Sequence, residues 1–192
     1  MSRAAPEQFQ ALDLRCHALL HDVPLHDVWA IELAGGGPGR TLHDVVTATG
    51  DRRRSPAVRA LFALRMALGK LFRLDTRRQR SSAGSYLPRL TEDDRARSQV
   101  VPGTMLKSFR TMYVFTDEAV LEARNATVHA FLAAALRPRA DGYTLYAAVY
   151  VKPVGLITPI YMALIDPFRR FIVYPSSIRE IEAKWARAYA LQ

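Results

Sequence analysis

His129 is the only histidine in the strand-patterned stretch 106–151 of this chain. An imidazole titrates near neutral pH, so one held against a bound molecule can move protons in a cyclisation, dehydration or hydrolysis. Tyr113, Tyr146 and Tyr150 share its strand parity and could orient a ligand carbonyl or phenol. Tyr161 and Phe168, on the helical segment near the C-terminus, complete the ligand-binding candidates. A lone strand histidine is more often structural than catalytic, and tyrosines serve equally as core or interface residues. Glu118 and Glu32 would be general acids or bases if buried. Glu118 adjoins a turn and is expected to face water. Arg124 and Asn125 could hold an anion, and turn chemistry explains them as well.

Other reactive types lack partners. His17, His21 and His26 lie near Asp22 and Asp27, and His-x3-His spacing binds zinc when it lies on a helix. Pro24 interrupts the segment, so no metal is expected. Cys16 is the single cysteine: it cannot form an internal disulfide, C-x-x-C spacing is absent, and a reducing, cytoplasmic setting is the default. Ser55, Ser81 and Ser82 lack a G-x-S-x-G context. The GGGPG run at 35–39 lacks the lysine of a phosphate loop and reads as a connector. No cofactor is expected. The first residues carry Glu7 and Asp13 with no long apolar run, unlike a secretory signal.

The formal net charge is +9, and residues 51–80 carry ten basic groups against Asp51 and Asp75. Such a segment is usually a solvated helix face, and otherwise a surface for anionic membrane, nucleic acid or an acidic partner. The first reading is preferred, with peripheral membrane contact through 51–80 kept open and nucleic acid disfavoured. Residues 156–174 are apolar enough to raise the question of a membrane span. Asp166, Arg169 and Arg170 would each cost about 2.5–3.5 kcal/mol at the bilayer centre, and Pro167 breaks the backbone beside them. A transmembrane helix is rejected.

Positioning these residues requires elements. Residues 1–26 read as an N-terminal arm and 27–192 as one domain, long enough to bury a core. A first strand is expected at His26–Ala34. Thr41 with Asp44 resembles a capping box opening a short helix to about Ala48. Ser55–Pro56 starts a second helix running to about Arg73. A short strand is expected at Ser85–Leu90. Strands then follow at Leu106–Thr116, Ala119–Arg124, Thr127–Leu136 and Tyr143–Val151, with turns at 117–118, 125–126 and 138–142. Connections this short allow only antiparallel pairing. An apolar stripe then runs Ile157, Ile160, Leu164, Phe168, Phe171, Ile172, Ile178, Ile181, Trp185, Tyr189 at helical spacing. Pro167 and Pro175 should kink or break that helix near Asp166 and Tyr174.

Strand parity separates two faces. One is aliphatic: Met112, Val114, Val128, Ala130, Leu132, Ala134, Leu145, Ala147, Val149 and Val151. Its alanines permit close approach of a helix or leave space beneath one. The other carries Thr111, Tyr113, Phe115, Thr127, His129, Phe131, Thr144, Tyr146, Tyr150 and Lys152. It is read as an outer, solvated or subunit-facing surface in preference to a cavity lining.

Strand, two short helices, antiparallel meander and long C-terminal helix: this order resembles the START-like helix-grip (SRPBCC) superfamily, over about residues 27–190. The stretch VYVKPVGLITPIYMALIDPFRRFIVYP is similar to an uncharacterised bacterial branch of it. The resemblance implies an α+β fold in which a curved antiparallel sheet wraps a long, kinked C-terminal helix, with a hydrophobic cavity between them. The leading expectation is binding of a small hydrophobic or aromatic molecule there, as a carrier or sensor. The alternative is an enzyme on the same scaffold, a cyclase, dehydratase or lyase acting on a hydrophobic, polyketide-like substrate. A basic surface module comes third, and a homodimer is compatible with all three.

Overall fold

A computed structural model describes residues 2–3, 6–49, 84–106, 109–124, 128–153 and 174–189, with 163, 166–167 and 170–171. The chain is α+β: a curved, unclosed antiparallel sheet, short helices early, and a C-terminal helix packed on the sheet. The strands are β1 (Ser2–Arg3), β2 (Leu25–Ala34), β3 (Met105–Leu106), β4 (Phe109–Val114), β5 (Glu118–Arg124), β6 (Val128–Arg139) and β7 (Gly142–Pro153). They lie in the order β1-β2-β7-β6-β5-β4-β3. The described helices are α1 (Pro6–Gln10), α2 (Arg15–Leu19), α3 (Leu42–Thr49), α4 (Glu92–Arg97) and α5 (Tyr174–Tyr189). None is long and apolar enough to cross a membrane.

Local chemistry fixes the hairpins. β6 and β7 turn through Ala140–Asp141, with Arg139 paired to Gly142. Gly142 has φ 146°, and a Cβ there would run into the Leu33 carbonyl, so only glycine fits. Pro138 lies within β6, beyond the point where β5 pairs with it, an edge position that tolerates a missing N–H. The long partner of β7 on its other side is β2, reached from the far end of the sequence. The Thr41–Asp44 capping box forms as expected: Thr41 N–H donates to Asp44 Oδ2 (2.8 Å) and Asp44 N–H to Thr41 Oγ1 (3.3 Å).

The sheet is covered on both faces. On one, α3 and α5 pack over β2, β6 and β7, burying Trp29, Ile31, Leu33, Leu42, Val45, Leu136, Tyr143, Leu145, Ile178 and Trp185. Fully burying one such large apolar side chain is worth roughly 1.5–3 kcal/mol. On the other, α1, α2 and the chain to Val23 bring Phe9, Leu14, Cys16, Leu19 and Leu20 against Tyr113, Phe115, Val120, Phe131, Ala133, Ala135, Ala148 and Tyr150. Tyr86 and Leu90 close that side.

Four expectations are corrected. The tyrosine- and histidine-bearing face is not an outer surface, because the N-terminal segment and residues 84–90 lie on it and bury it. Residues 87–89 form a 3-10 turn, not a strand: Pro88 suits a first turn and offers no ladder donor. The parity of β4 breaks at a bulge between Thr111 and Tyr113. Thr111 therefore pairs with Leu121 on the helix-bearing face, and Met112 joins the opposite core. Phe171, placed in the buried stripe, is 79% exposed. The described part of the C-terminal helix starts at Tyr174, beside Pro175. The helix expected at 55–73, the basic stretch 51–80 and the turn at 125–126 lie outside the described residues.

Candidate functional site

The face that carries α5 has an uneven covering. Beside the rows that α3 and α5 cover, register places on it Ala119, Ala134, Ala147 and Trp29; Leu121, Leu132, Val149 and Asp27; and Ala123, Ala130 and Val151. Trp29 packs under α5, with its ring centroid 5.0 Å from that of Tyr174. Across β5, β6 and β7 the pattern changes. Ala119, Leu121, Ala123, Ala130, Leu132, Ala134, Ala147 and Val149 are only partly buried. Their neighbours on the other face, Val120, Phe131, Ala133, Ala135 and Ala148, are buried to 1% exposure or less. An aliphatic floor beside a helix, built mostly of alanine, is the arrangement that can receive an apolar molecule.

Polar groups at the margins of this floor are specific. His26 Nε2 lies 2.9 Å from Asp166 Oδ1 and 3.8 Å from Asp27 Oδ2. Ligand atoms of these three residues all lie within 4.8 Å of one another. Among the described residues on this face, Trp29 Nε1 and Thr111 Oγ1 are buried without a hydrogen-bond partner.

The opposite face holds His129, Glu118, Tyr113, Tyr146 and Tyr150, covered by the N-terminal segment and residues 84–90. His129 is 4% exposed, and its Nε2 lies 2.8 Å from Glu122 Oε1. Glu122 also accepts from Ser85 Oγ (2.5 Å) and from the Tyr86 backbone N–H (3.0 Å). Burial pushes the Glu122 carboxyl up; the hydrogen bonds from His129, Ser85 and Tyr86 outweigh it and hold the group below its usual range. The His129 ring lies against Tyr86 and Phe131. Tyr86 continues the network outward: its hydroxyl donates to Asp22 and accepts from Lys152, and Arg89 covers its ring while pairing with Asp22.

Glu118 was expected to face water and is instead 5% exposed. Its carboxylate accepts from the backbone N–H groups of Arg15 (2.9 Å) and Cys16 (2.8 Å) and from Tyr113 Oη (2.5 Å). It thereby occupies the start of α2, whose Ncap residue, Leu14, supplies no capping side chain. Burial first, and the Glu118 charge next, push both the Tyr113 phenol and the Cys16 thiol up. Tyr150 Oη lies 3.3 Å from His17 Nδ1, and burial likewise raises it. Tyr146 packs against Phe9. The Tyr113, Tyr146 and Tyr150 side chains thus lie under the N-terminal segment, on the face away from α5. Tyr161, Phe168 and Asn125 lie outside the described residues. Glu32 is largely exposed and pairs with Arg139 at 3.1 Å. Arg124 stands beside Gly84. His21 bonds the Ala18 carbonyl, and Asp22 is taken by Arg89, Lys152 and Tyr86.

Sequence reasoning missed Arg15, Asp94, Ser85, Tyr86, Glu122 and Trp29. Two were signalled. Thr91-x-x-Asp94 is a capping box, which forms, and Asp94 then also holds Arg15 through a paired contact at 2.8–3.0 Å. Glu122 sits two residues after Val120 and four after Glu118, at the period that places all three on one strand face. Ser85 and Tyr86 belong to a loop whose landing place no local pattern encodes.

A family model described as "Protein of unknown function (DUF2867)" matches residues 19–176. No curated protein and no solved structure matches the chain.

Proposed function

The chain belongs to the DUF2867 family, and from that premise, which carries no activity with it, we propose that it binds a small hydrophobic or aromatic molecule between the sheet and the C-terminal helix, as a carrier or sensor. One observation carries the reading: Leu121, Leu132 and Val149, with the alanines on either side of them, stay partly open while the residues behind them on the same strands are buried. Contiguous half-open aliphatic surface is costly in a water-facing role and useful as a binding floor. We read the architecture as START-like, supported by the element order and by the C-terminal helix on a curved, unclosed antiparallel sheet.

The enzyme reading draws less from the geometry. His129 is enclosed beneath Tyr86 and points away from the helix-bearing face, so catalysis through it would need a second site, under residues 84–90.

The test uses 2-acetylnaphthalene as probe, followed by calorimetry or native mass spectrometry. The wild-type chain should bind it at micromolar concentration. Leu132→Glu places a charge on the floor and should weaken binding at least about tenfold, while the half-open position keeps its effect on thermal stability small. Absence of binding to the wild type, or undiminished binding to Leu132→Glu, sinks the reading.

A further inference from the structure

Buried polar atoms normally find partners, and one left without costs about 1–3 kcal/mol. On the face covered by the N-terminal segment, Glu118, Glu122, Asp94, His129 and Tyr113 are all hydrogen-bonded. The helix-bearing face differs. Trp29 is only 9% exposed, and its Nε1–H donates to nothing; Thr111, fully buried at the other end of the floor, leaves Oγ1 without a partner. Trp185, the other indole on this face, shows the ordinary outcome: its Nε1–H donates to the Ala34 carbonyl at 3.0 Å.

Trp29 lies in the first row of the floor, directly across from Ala147 and one strand from Ala134, so its side chain borders the alanines. The Tyr174 ring, in the first turn of α5, has its centroid 5.0 Å from that of Trp29. An indole N–H can donate and cannot accept. We propose that Trp29 Nε1–H is the recognition donor of this site, and that the ligand is an apolar molecule bearing a hydrogen-bond acceptor oxygen: a carbonyl, carboxylate, ether or phenolate. This inference rests on the binding role proposed above and narrows its ligand class. The closed, low-dielectric surroundings of Nε1 strengthen a bond to such an oxygen once formed. A hydrocarbon of the same shape leaves the donor unsatisfied, and sites built around a hydrogen bond reject analogues that lack the matching atom.

The experiment compares 2-acetylnaphthalene with 2-isopropenylnaphthalene, which replaces the carbonyl oxygen by a methylene group. The wild-type chain should prefer the ketone by at least about tenfold. Trp29→Phe should retain the hydrocarbon's affinity and lose the preference. As a readout independent of that variant's folding, the wild-type Trp29 indole proton, assigned with Trp185→Phe, should move downfield in the NMR spectrum on adding the ketone and stay in place on adding the hydrocarbon. Equal affinity of the wild type for both probes, a preference that survives Trp29→Phe, or an indole proton indifferent to the ketone overturns the inference and leaves the binding reading standing. Failure of both probes to bind the wild type overturns both.

Discussion

The indole of Trp185 and the backbone of Gly36 occupy one space: a Cβ at residue 36 would lie 2.7 Å from Trp185 Cζ2. The same indole donates to Ala34. The C-terminal helix is thus fastened at the point where β2 ends, by a hydrogen bond on one side and a missing side chain on the other. Trp185→Ala should cost about 3–5 kcal/mol, the range for deleting a buried large aromatic. Gly36→Ala adds a left-handed backbone conformation (φ 97°) to the clash and should cost about 1–3 kcal/mol or more. Urea denaturation of both variants decides; a Gly36→Ala protein as stable as the wild type would mean that α5 does not dock there.

Three donors converge on Glu118, and two of them belong to the start of α2. Glu118→Ala would strand the amides of Arg15 and Cys16 and the hydroxyl of Tyr113, at about 1–3 kcal/mol each before any water enters. The total loss should reach at least about 3 kcal/mol, with Glu118→Gln intermediate. Hydrogen exchange at the Arg15 and Cys16 amides should accelerate in step. Unchanged exchange would show that this end of the N-terminal segment is held by its apolar contacts alone.

The thiol of Cys16 is buried and, with the Glu118 charge nearby, pushed up from its ordinary value. The thiolate is the reactive form. Labelling by a disulfide reagent at pH 8 should therefore be slow in the native protein, at a rate set by opening of the N-terminal segment, and fast in denaturant. Rapid native labelling would contradict the packing of α2 against the sheet.

Acid should weaken the fold through Glu122. Its native value lies below the ordinary carboxylate range, so the stability it contributes is fully present above the unfolded value, about pH 4.3, and disappears as pH falls through the lowered native value. Asp94, buried yet lowered by Arg15 and the Thr91 cap, acts in the same direction. Stability measured between pH 6 and 2.5 should fall below about pH 4, and Glu122→Gln should flatten that fall while lowering the plateau. A fall of equal steepness in the variant would assign acid lability elsewhere.

Elements with their own periodicity were legible before any coordinates. The alternation of β6 and β7 and the Thr41–Asp44 cap follow from local chemistry, and both appear where expected. What local pattern cannot encode is which distant segment lands on a face. Tyr113, Tyr146 and Tyr150 have the composition of a wet sheet surface. Only the docking of Phe9, Leu19 and Leu20 makes that surface a core. The bulge at Met112 had the same opacity: one extra residue reverses parity, and nothing in FRTMYV marks it. Trp29 was read as an ordinary strand residue because an unpartnered N–H becomes visible only when every neighbour is in place.

The pairing of β2 with β7 joins Ile31 to Leu145 and Leu33 to Tyr143, across more than a hundred intervening residues. During synthesis the amino-terminal third therefore leaves the ribosome with neither its central ladder partner nor the sheet surface it will cover. Leu14, Leu19 and Leu20 remain solvent-accessible until the strands they cover have emerged, and pairing of β2 with β7 waits on closure of a large loop. A nascent chain so arranged is exposed to chaperones and proteases for most of its translation, and its yield in cells should respond more to elongation rate and chaperone supply than to the equilibrium stability of the finished molecule.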